Sequence, residues 1–164
     1  MLKRRLSPGL TLIRSGSFPG RFPEGGMAHR ALIGIGGNIG DVGRRFEHLL
    51  VFFRRDPYVN ILASSPLLKN PPFGFADQND FINGVLLLET SLQPRALMRH
   101  LLRVERRFGR VRTFANAPRT LDLDILFYDR RRINRPDLVV PHPHWHERES
   151  VVIPLMHLAA GRTL

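Results

Sequence analysis

Phe81-Ile82-Asn83-Gly84-Val85-Leu86-Leu87-Leu88-Glu89-Thr90 is ten residues long and apolar without a break from Val85 to Leu88. A run of this length and character predicts a central strand, because neither row of its side chains suits water. On its C-terminal side Pro94 stands at a first helical turn, where its missing N–H costs nothing. Leu97, Leu101, Val104 and Phe108 follow at three- and four-residue steps, and Gly109 supplies the stop. Leu121 to Tyr128 reads as the next strand. On the N-terminal side lie a loop rich in Pro, Gly and Asp (Asn70 to Asp80) and a strand from Val59 to Ser65. Further back, Ala31-Leu32-Ile33-Gly34-Ile35 predicts a buried strand that stops at a Gly36-Gly37-Asn38 turn. Asp41 then caps a helix carrying Val42, Phe46, Leu49, Leu50 and Phe53, which Asp56-Pro57 ends. The order β-α-β-β-α-β predicts an α+β, ferredoxin-like fold: a four-stranded antiparallel sheet with two main helices on one face. Leu138-Val139-Val140, a His/Pro-rich loop and a last helix over Val151 to Leu158 make a C-terminal extension.

The chain has 164 residues, enough for one core and short of two. Hydrophobic residues at 43% and charged residues at 24% give a globular composition. With no cysteine, disulfide scaffolds, Cys-ligated metal sites and thiol catalysis are excluded, and a reducing compartment, the cytoplasm, is expected. No apolar run approaches the roughly 18 residues of a membrane span. The net charge is +11, and all the basic residues except Lys3 and Lys69 are Arg. Such a balance suits an anionic partner, and Arg forks suit phosphate oxygens, although a GC-rich genome would give the same bias. Residues 1–29 are rich in Gly, Pro, Ser and Arg and lack the continuous apolar stretch of a secretory signal. They are read as a basic N-terminal arm, extended or partly disordered, with Met27 as an alternative initiator, ahead of a domain over 30–164.

The chemistry concentrates at Arg119-Thr120-Leu121-Asp122-Leu123-Asp124-Ile125-Leu126. On a strand Asp122 and Asp124 share a face, about 7 Å apart at Cα, while Leu121, Leu123, Ile125 and Phe127 point into the core. Two carboxylates so spaced can hold one or two hard cations, Mg²⁺ first because the ligands are oxygen only. Alone, an Asp-x-Asp is explained as well by a half-exposed strand with two solvated acids. The preceding Gly109-Arg110-Val111-Arg112 and Pro118-Arg119 change that balance: carboxylates for Mg²⁺ with Arg forks for phosphate are what phosphoryl or pyrophosphoryl transfer needs. Gly34-Ile35-Gly36-Gly37-Asn38 is no nucleotide phosphate loop, since it has neither the Gly-Lys-Ser/Thr end nor the dinucleotide spacing. His142, His144 and His146 alternate, but a zinc site there lacks a fourth ligand at ordinary spacing. Phe73, Phe75 and Phe81 with Asn83 suit a flat heterocycle stacked on a ring and hydrogen-bonded at its edge.

From about Ala31 to Leu158 the sequence resembles the 6-hydroxymethyl-7,8-dihydropterin pyrophosphokinases of folate biosynthesis. The resemblance is strongest at Ala117-Pro118-Arg119-Thr120-Leu121-Asp122-Leu123-Asp124. Supporting stretches are Gly36-Gly37-Asn38-Ile39-Gly40-Asp41, Pro71-Pro72-Phe73-Gly74, Asp77 to Asn83, Leu88 to Leu92, Val104-Glu105 with Gly109 to Arg112, and Leu138 to Pro143 with Glu147-Arg148. It implies transfer of pyrophosphate from MgATP to the hydroxymethyl oxygen of the reduced pterin, with release of AMP. Asp122 and Asp124 would hold two Mg²⁺, with Arg112 and Arg119 completing the catalytic set. Glu105, Arg110, Arg112, His142 and Arg148 would bind ATP, the co-substrate. Asn70, Pro71, Phe73, Phe81, Asn83 and Phe114 would bind the pterin. The partners implied are small molecules only, with no nucleic acid, no membrane and a monomeric chain.

Three departures bear on affinity and loop closure. The segment Arg112 to Arg119 is one residue shorter than the commonest family form and lacks its tryptophan, for which Phe114 would substitute in part. Ser150 stands where many members place a second stacking aromatic, leaving that pterin face to Trp145 or Phe114. Leu102 replaces the Gln just upstream of Glu105. Two alternatives remain beside the enzyme: a degenerate member, and a ferredoxin-like RNA-binding module. RNA-binding sheets carry exposed aromatics where this one carries Asp122 and Asp124.

Overall fold

Strand β7 (Phe81–Thr90) is an interior strand of the main sheet, and nine consecutive residue pairs join it to β4 (His29–Gly37). The computed structural model describes residues 1–158. Beyond β4, on one side, lies β8 (Asp122–Tyr128). On the other side of β7, β5 (Val59–Ser64) pairs with its C-terminal half and β6 (Leu67–Asn70) with its N-terminal end. Ser65-Pro66 separate these two strands, since Pro cannot continue a ladder. All these pairings are antiparallel. The four strands read from the sequence thus lie side by side as β5-β7-β4-β8, but the four-stranded description is corrected, because among the described residues the sheet has eight strands.

The added strands come mainly from the N-terminus. β1 (Leu2–Ser7) and β2 (Leu10–Arg14) form a hairpin whose second strand pairs with β6, and the two-residue β3 (Gly20–Arg21) pairs with β5. This segment is packed onto the body: Leu10, Leu12, Ile13 and Phe18 are buried. Phe18 lies 6.0 Å from the Phe46 ring, and the Ser17 N–H donates to Glu47 Oε1 at 2.7 Å. Lys3, Arg4 and Arg5 lie on the exposed outer strand β1, where charge discourages further strand pairing.

Helix α1 (Val42–Arg54) buries Val42, Phe46, Leu49, Leu50 and Phe53 against one sheet face, and Asp41 caps it by accepting from the Arg44 N–H at 3.1 Å. Helix α2 (Pro94–Arg107) buries Leu97, Leu101 and Val104 on that same face, against Ile33, Ile35, Leu121, Leu123 and Ile125. The opposite face holds a smaller core of Leu32, Val85, Leu87 and Leu126, covered by Val151 of α3 (Glu149–Met156). Phe127 belongs to this second core, against Trp145 at 5.0 Å, and does not join Leu121, Leu123 and Ile125 as alternation predicts. A bulge at Leu126, where two steps along β8 match the single step from Leu32 to Ile33, shifts the β4–β8 register and moves Phe127 across the sheet. A short hairpin, β9 (Ile133–Arg135) and β10 (Leu138–Val140), then leads to the His-rich loop.

Candidate active site

Register assembles the site. Gly36 on β4 lies directly opposite Asn83 on one side and Asp122 on the other. Asn83 is in turn opposite Leu68 of β6, and Phe81 opposite Asn70. Residues paired across a sheet share a face, so Asp122, Asp124, Asn83, Phe81 and Asn70 all project from the α3 side. Between them β4 contributes only Gly34 and Gly36. A Cβ on Gly36 would come within 2.4 Å of Asn83 Oδ1, so the absence of a side chain there leaves the Asn83 amide its place. That amide donates to Asn70 Oδ1 at 2.7 Å.

Two loops close over this face. Residues 71–80 join β6 to β7, and residues 108–121 join α2 to β8. Asn38, at the end of β4 and almost fully buried, ties them together. Its side-chain N–H groups donate to Gln78 Oε1 (2.8 Å) and the Asn79 carbonyl (3.0 Å), and its Oδ1 accepts from the Arg119 backbone N–H (2.9 Å). Gln78 reaches on to the Asn116 carbonyl at 2.9 Å. Asn38 is absent from the residues assigned to the site by sequence. Its signals were its place at the end of a strand, between glycines and a helix cap, and its position in one of the stretches that carry the family resemblance.

The basic loop meets the carboxylates. Arg110, mostly buried, donates to Asp122 Oδ1 and faces Glu105 at 3.5 Å, while Arg119 reaches Asp122 Oδ2 at 3.3 Å. The Arg119 guanidinium also lies over the Phe81 ring, 5.4 Å from its centroid. Arg112 meets Glu105 at 3.3 Å. Glu105 is buried beneath these arginines and accepts from the Leu123 N–H (3.3 Å), so its carboxylate anchors loop and strand from below. Burial pushes its carboxyl upward despite the Arg110 charge. Asp124 is pushed up to about 7 by burial, then by the charges of Asp122 and Glu105. Among the described residues none donates a hydrogen bond to the Asp124 carboxylate.

Two hollows flank the carboxylate pair. One, of about 500 Å³, is lined by Asn70, Pro71, Pro72, Phe73, Phe81, Asn83, Asn116, Arg119 and the segment Glu147 to Ser150. The other, of about 520 Å³, runs between α2 and the β9–β10 hairpin and is lined by Met98, Leu101, Leu102, Arg112, Asp124, Leu138 and His142 among others. His142 Nδ1–H donates to the Pro143 carbonyl at 2.8 Å, which leaves Nε2 as the available ring nitrogen. Burial and the neighbouring Arg148 lower its pKa, which favours the neutral ring.

The structure therefore brings together Asn70, Pro71, Phe73, Phe81, Asn83, Arg119 and Arg148 around one hollow, and Arg112, Asp124 and His142 at the other. Phe114 lines neither: it stands edge-on to Phe75 at 5.3 Å. Trp145 is taken up by Phe127, so Ser150 has no aromatic substitute within the first hollow; Arg148 instead lies 5.9 Å from the Phe73 ring centroid.

The donor set suits a hard divalent cation. It offers carboxylate oxygens from one rigid strand, one of them without a hydrogen-bonding neighbour. Among the described residues no three His, Cys, Asp or Glu side chains converge on a common point. A pair of carboxylates is what Mg²⁺ takes from a protein when phosphate oxygens and water complete its shell.

Comparison with known proteins identifies the family of the chain. The profile of the 7,8-dihydro-6-hydroxymethylpterin-pyrophosphokinase (HPPK) family matches residues 32–160. The chain is 46% identical over 125 residues to the 2-amino-4-hydroxy-6-hydroxymethyldihydropteridine pyrophosphokinase of Campylobacter jejuni, covering 76% of this chain and 80% of that one. It is 36% identical over 147 residues to the protein of that name from Helicobacter pylori (88% and 90% covered), and 40% identical over 133 residues to that from Pseudomonas aeruginosa (81% and 82%). The chain belongs to the HPPK family.

Proposed function

We propose that this chain transfers pyrophosphate from MgATP to the hydroxymethyl group of 6-hydroxymethyl-7,8-dihydropterin, releasing AMP, as a step of folate synthesis. The observation that carries the reading is the carboxylate pair set between two hollows. One is walled by aromatic rings and side-chain amides, the other by apolar and basic groups.

The pterin lies against Phe81 and Phe73, with Asn83, held by Asn70, at its polar edge and Pro71 closing the wall. Its hydroxymethyl group points along the Asn83–Gly36–Asp122 row. The nucleotide lies in the second hollow, with Arg112 and His142 on its wall, Glu105 beneath, and its phosphates reaching Arg110 and, beside the carboxylate pair, Arg148. Asp122 and Asp124 would hold two Mg²⁺, which would supply neutralisation of the polyphosphate charge. The pterin hydroxyl oxygen bonds to the β-phosphorus as the bond from that phosphorus to the α–β bridging oxygen breaks. AMP leaves with that oxygen, and the hydroxyl proton passes to water. Arg112 and Arg119 offset charge on the transferring group, and Arg110 holds Asp122 in place. Catalysis here is chiefly positioning and electrostatics.

The strands β5-β7-β4-β8 with α1 and α2 form a ferredoxin-like core on this reading, and residues 30–164 form the catalytic domain. The chain acts as a monomer in the cytoplasm on small molecules alone. An RNA-binding role is disfavoured because the face that would stack bases presents Asp122 and Asp124. A coupled assay of AMP formation tests the proposal: AMP should appear only with ATP, Mg²⁺ and the pterin together. Nucleotide binding without AMP would indicate a degenerate member and overturn it.

A further inference from the structure

We infer that the N-terminal hairpin is a positioning element for the pterin hollow, setting Asn70 and Pro71 against Asn83. The inference rests on the reading of the 500 Å³ hollow as the pterin site. The hairpin lies outside the stretch that the family profile matches, which begins at residue 32. It nevertheless continues the row that builds the site. Leu12 of β2 is opposite Leu68 of β6, Leu68 is opposite Asn83, Asn83 opposite Gly36, and Gly36 opposite Asp122.

Strand β6 has four residues and is held between β2 and β7. Its last residue is Asn70, whose Oδ1 accepts the Asn83 amide at 2.7 Å. Without β2 this short strand would be a sheet edge, with one row of backbone groups unpaired and its end free to fray. The hairpin also touches the hollow's wall directly. Its turn residue Gly9 has φ +81°, and a Cβ there would stand 3.2 Å from Pro71 Cγ. Leu10, Leu12 and Ile13 are buried, so the hairpin is fixed to the body and can transmit that fixity to β6.

Thr11 and Lys69 are directly opposite each other across β2 and β6. Lys69 alternates with Leu68 and Asn70, so a side chain there points away from the hollow. The chain has no cysteine, so the only intramolecular disulfide that a Thr11→Cys/Lys69→Cys pair can form is the intended one, and the monomeric oxidised species is the one assayed. Directly opposed residues in antiparallel strands have Cα atoms about 4.5–5.5 Å apart, which a disulfide spans.

The test is steady-state kinetics on the full chain. Gly9→Val should raise the KM for pterin about tenfold, with kcat and the KM for ATP within about threefold of the parent. In the Gly9→Val background, oxidising the Thr11→Cys/Lys69→Cys pair should return the pterin KM toward the parent value, and reduction should raise it again. Asn83→Ala is measured alongside. If it leaves the pterin KM unchanged, the pocket reading fails and this inference falls with it. If it raises KM while Gly9→Val does not, the inference alone is overturned. A Gly9→Val loss shared equally by kcat and both KM values, and not recovered by the cystine, reflects general loosening and also overturns it.

Discussion

Asn83 and Asp122 face the same residue, Gly36, from the strands on either side of it. Two strand spacings separate them, about 10 Å, and the residue between has no side chain to fill the gap. On the proposed reading, the part of the site that takes the flat heterocycle and the part that takes phosphate are thereby fixed relative to each other by backbone hydrogen bonds. Loop closure adds groups to this frame and does not create it.

Gly36→Ala tests that frame. A methyl group 2.4 Å from Asn83 Oδ1 must push the amide aside, and Asn83 is tied to Asn70. The KM for pterin should rise about tenfold or more, the scale of losing a positioned hydrogen bond. ATP binding, measured by calorimetry, should change by less than about threefold. Equal loss of both would mean that the substitution disturbs the sheet as a whole.

Much of the frame was legible. Helical periodicity at Val42, Phe46, Leu49, Leu50 and Phe53, and at Leu97, Leu101 and Val104, marks the faces that α1 and α2 bury. Alternation from Leu121 to Ile125 places Asp122 and Asp124 on the opposite face. What the sequence hid was set by tertiary pairing. The N-terminal hairpin has a half-buried pattern broken by Pro8-Gly9 and becomes a strand pair only by adding to β6. Phe127 changes face because Leu126, beside it on β8, is an extra residue against the Leu32–Ile33 step of β4. Phe114 and Trp145 are claimed by Phe75 and Phe127, contacts that no local pattern encodes. Asn38 acts through Gln78, Asn79 and Arg119, all distant in sequence.

Phe18→Ala measures how firmly the first residues belong to the core. Phe18 is 1% exposed and packs on Phe46. Removing a buried Phe side chain costs about 3–5 kcal/mol. Urea unfolding should show a loss in that range. A change below about 1 kcal/mol would mean that the segment is draped on the body without supporting it.

Asp124→Asn should abolish turnover and also stabilise the metal-free protein. Folding raises the Asp124 pKa from its ordinary value to about 7, through burial and the charges of Asp122 and Glu105. A group whose pKa is raised on folding favours the folded state at low pH and loses that contribution as pH rises toward 7. In the presence of a chelator, the variant should therefore exceed the parent in stability at pH 8 by on the order of 2 kcal/mol. The gap should narrow at pH 5.5, where the parent's carboxyl is largely protonated. Thermal melts at the two pH values decide this; a gap that does not depend on pH would contradict the assignment.

Arg119 joins both halves of the site, meeting Asp122 at 3.3 Å and lying over Phe81. Arg119→Ala should lower kcat about 100-fold, the usual scale for losing one group that stabilises developing charge. Arg119→Lys should recover little, because an ammonium cannot both stack and form a fork. Single-turnover rates check this. A rate within threefold of the parent would remove Arg119 from the transfer step.

The most direct test of the central claim is ³¹P NMR of a complete reaction containing ATP, Mg²⁺ and 6-hydroxymethyl-7,8-dihydropterin. Pyrophosphoryl transfer predicts AMP together with a pterin product carrying two coupled phosphorus resonances, and no ADP. A pterin product with a single phosphorus and accumulating ADP would contradict the account, since attack would then have fallen on the γ-phosphorus.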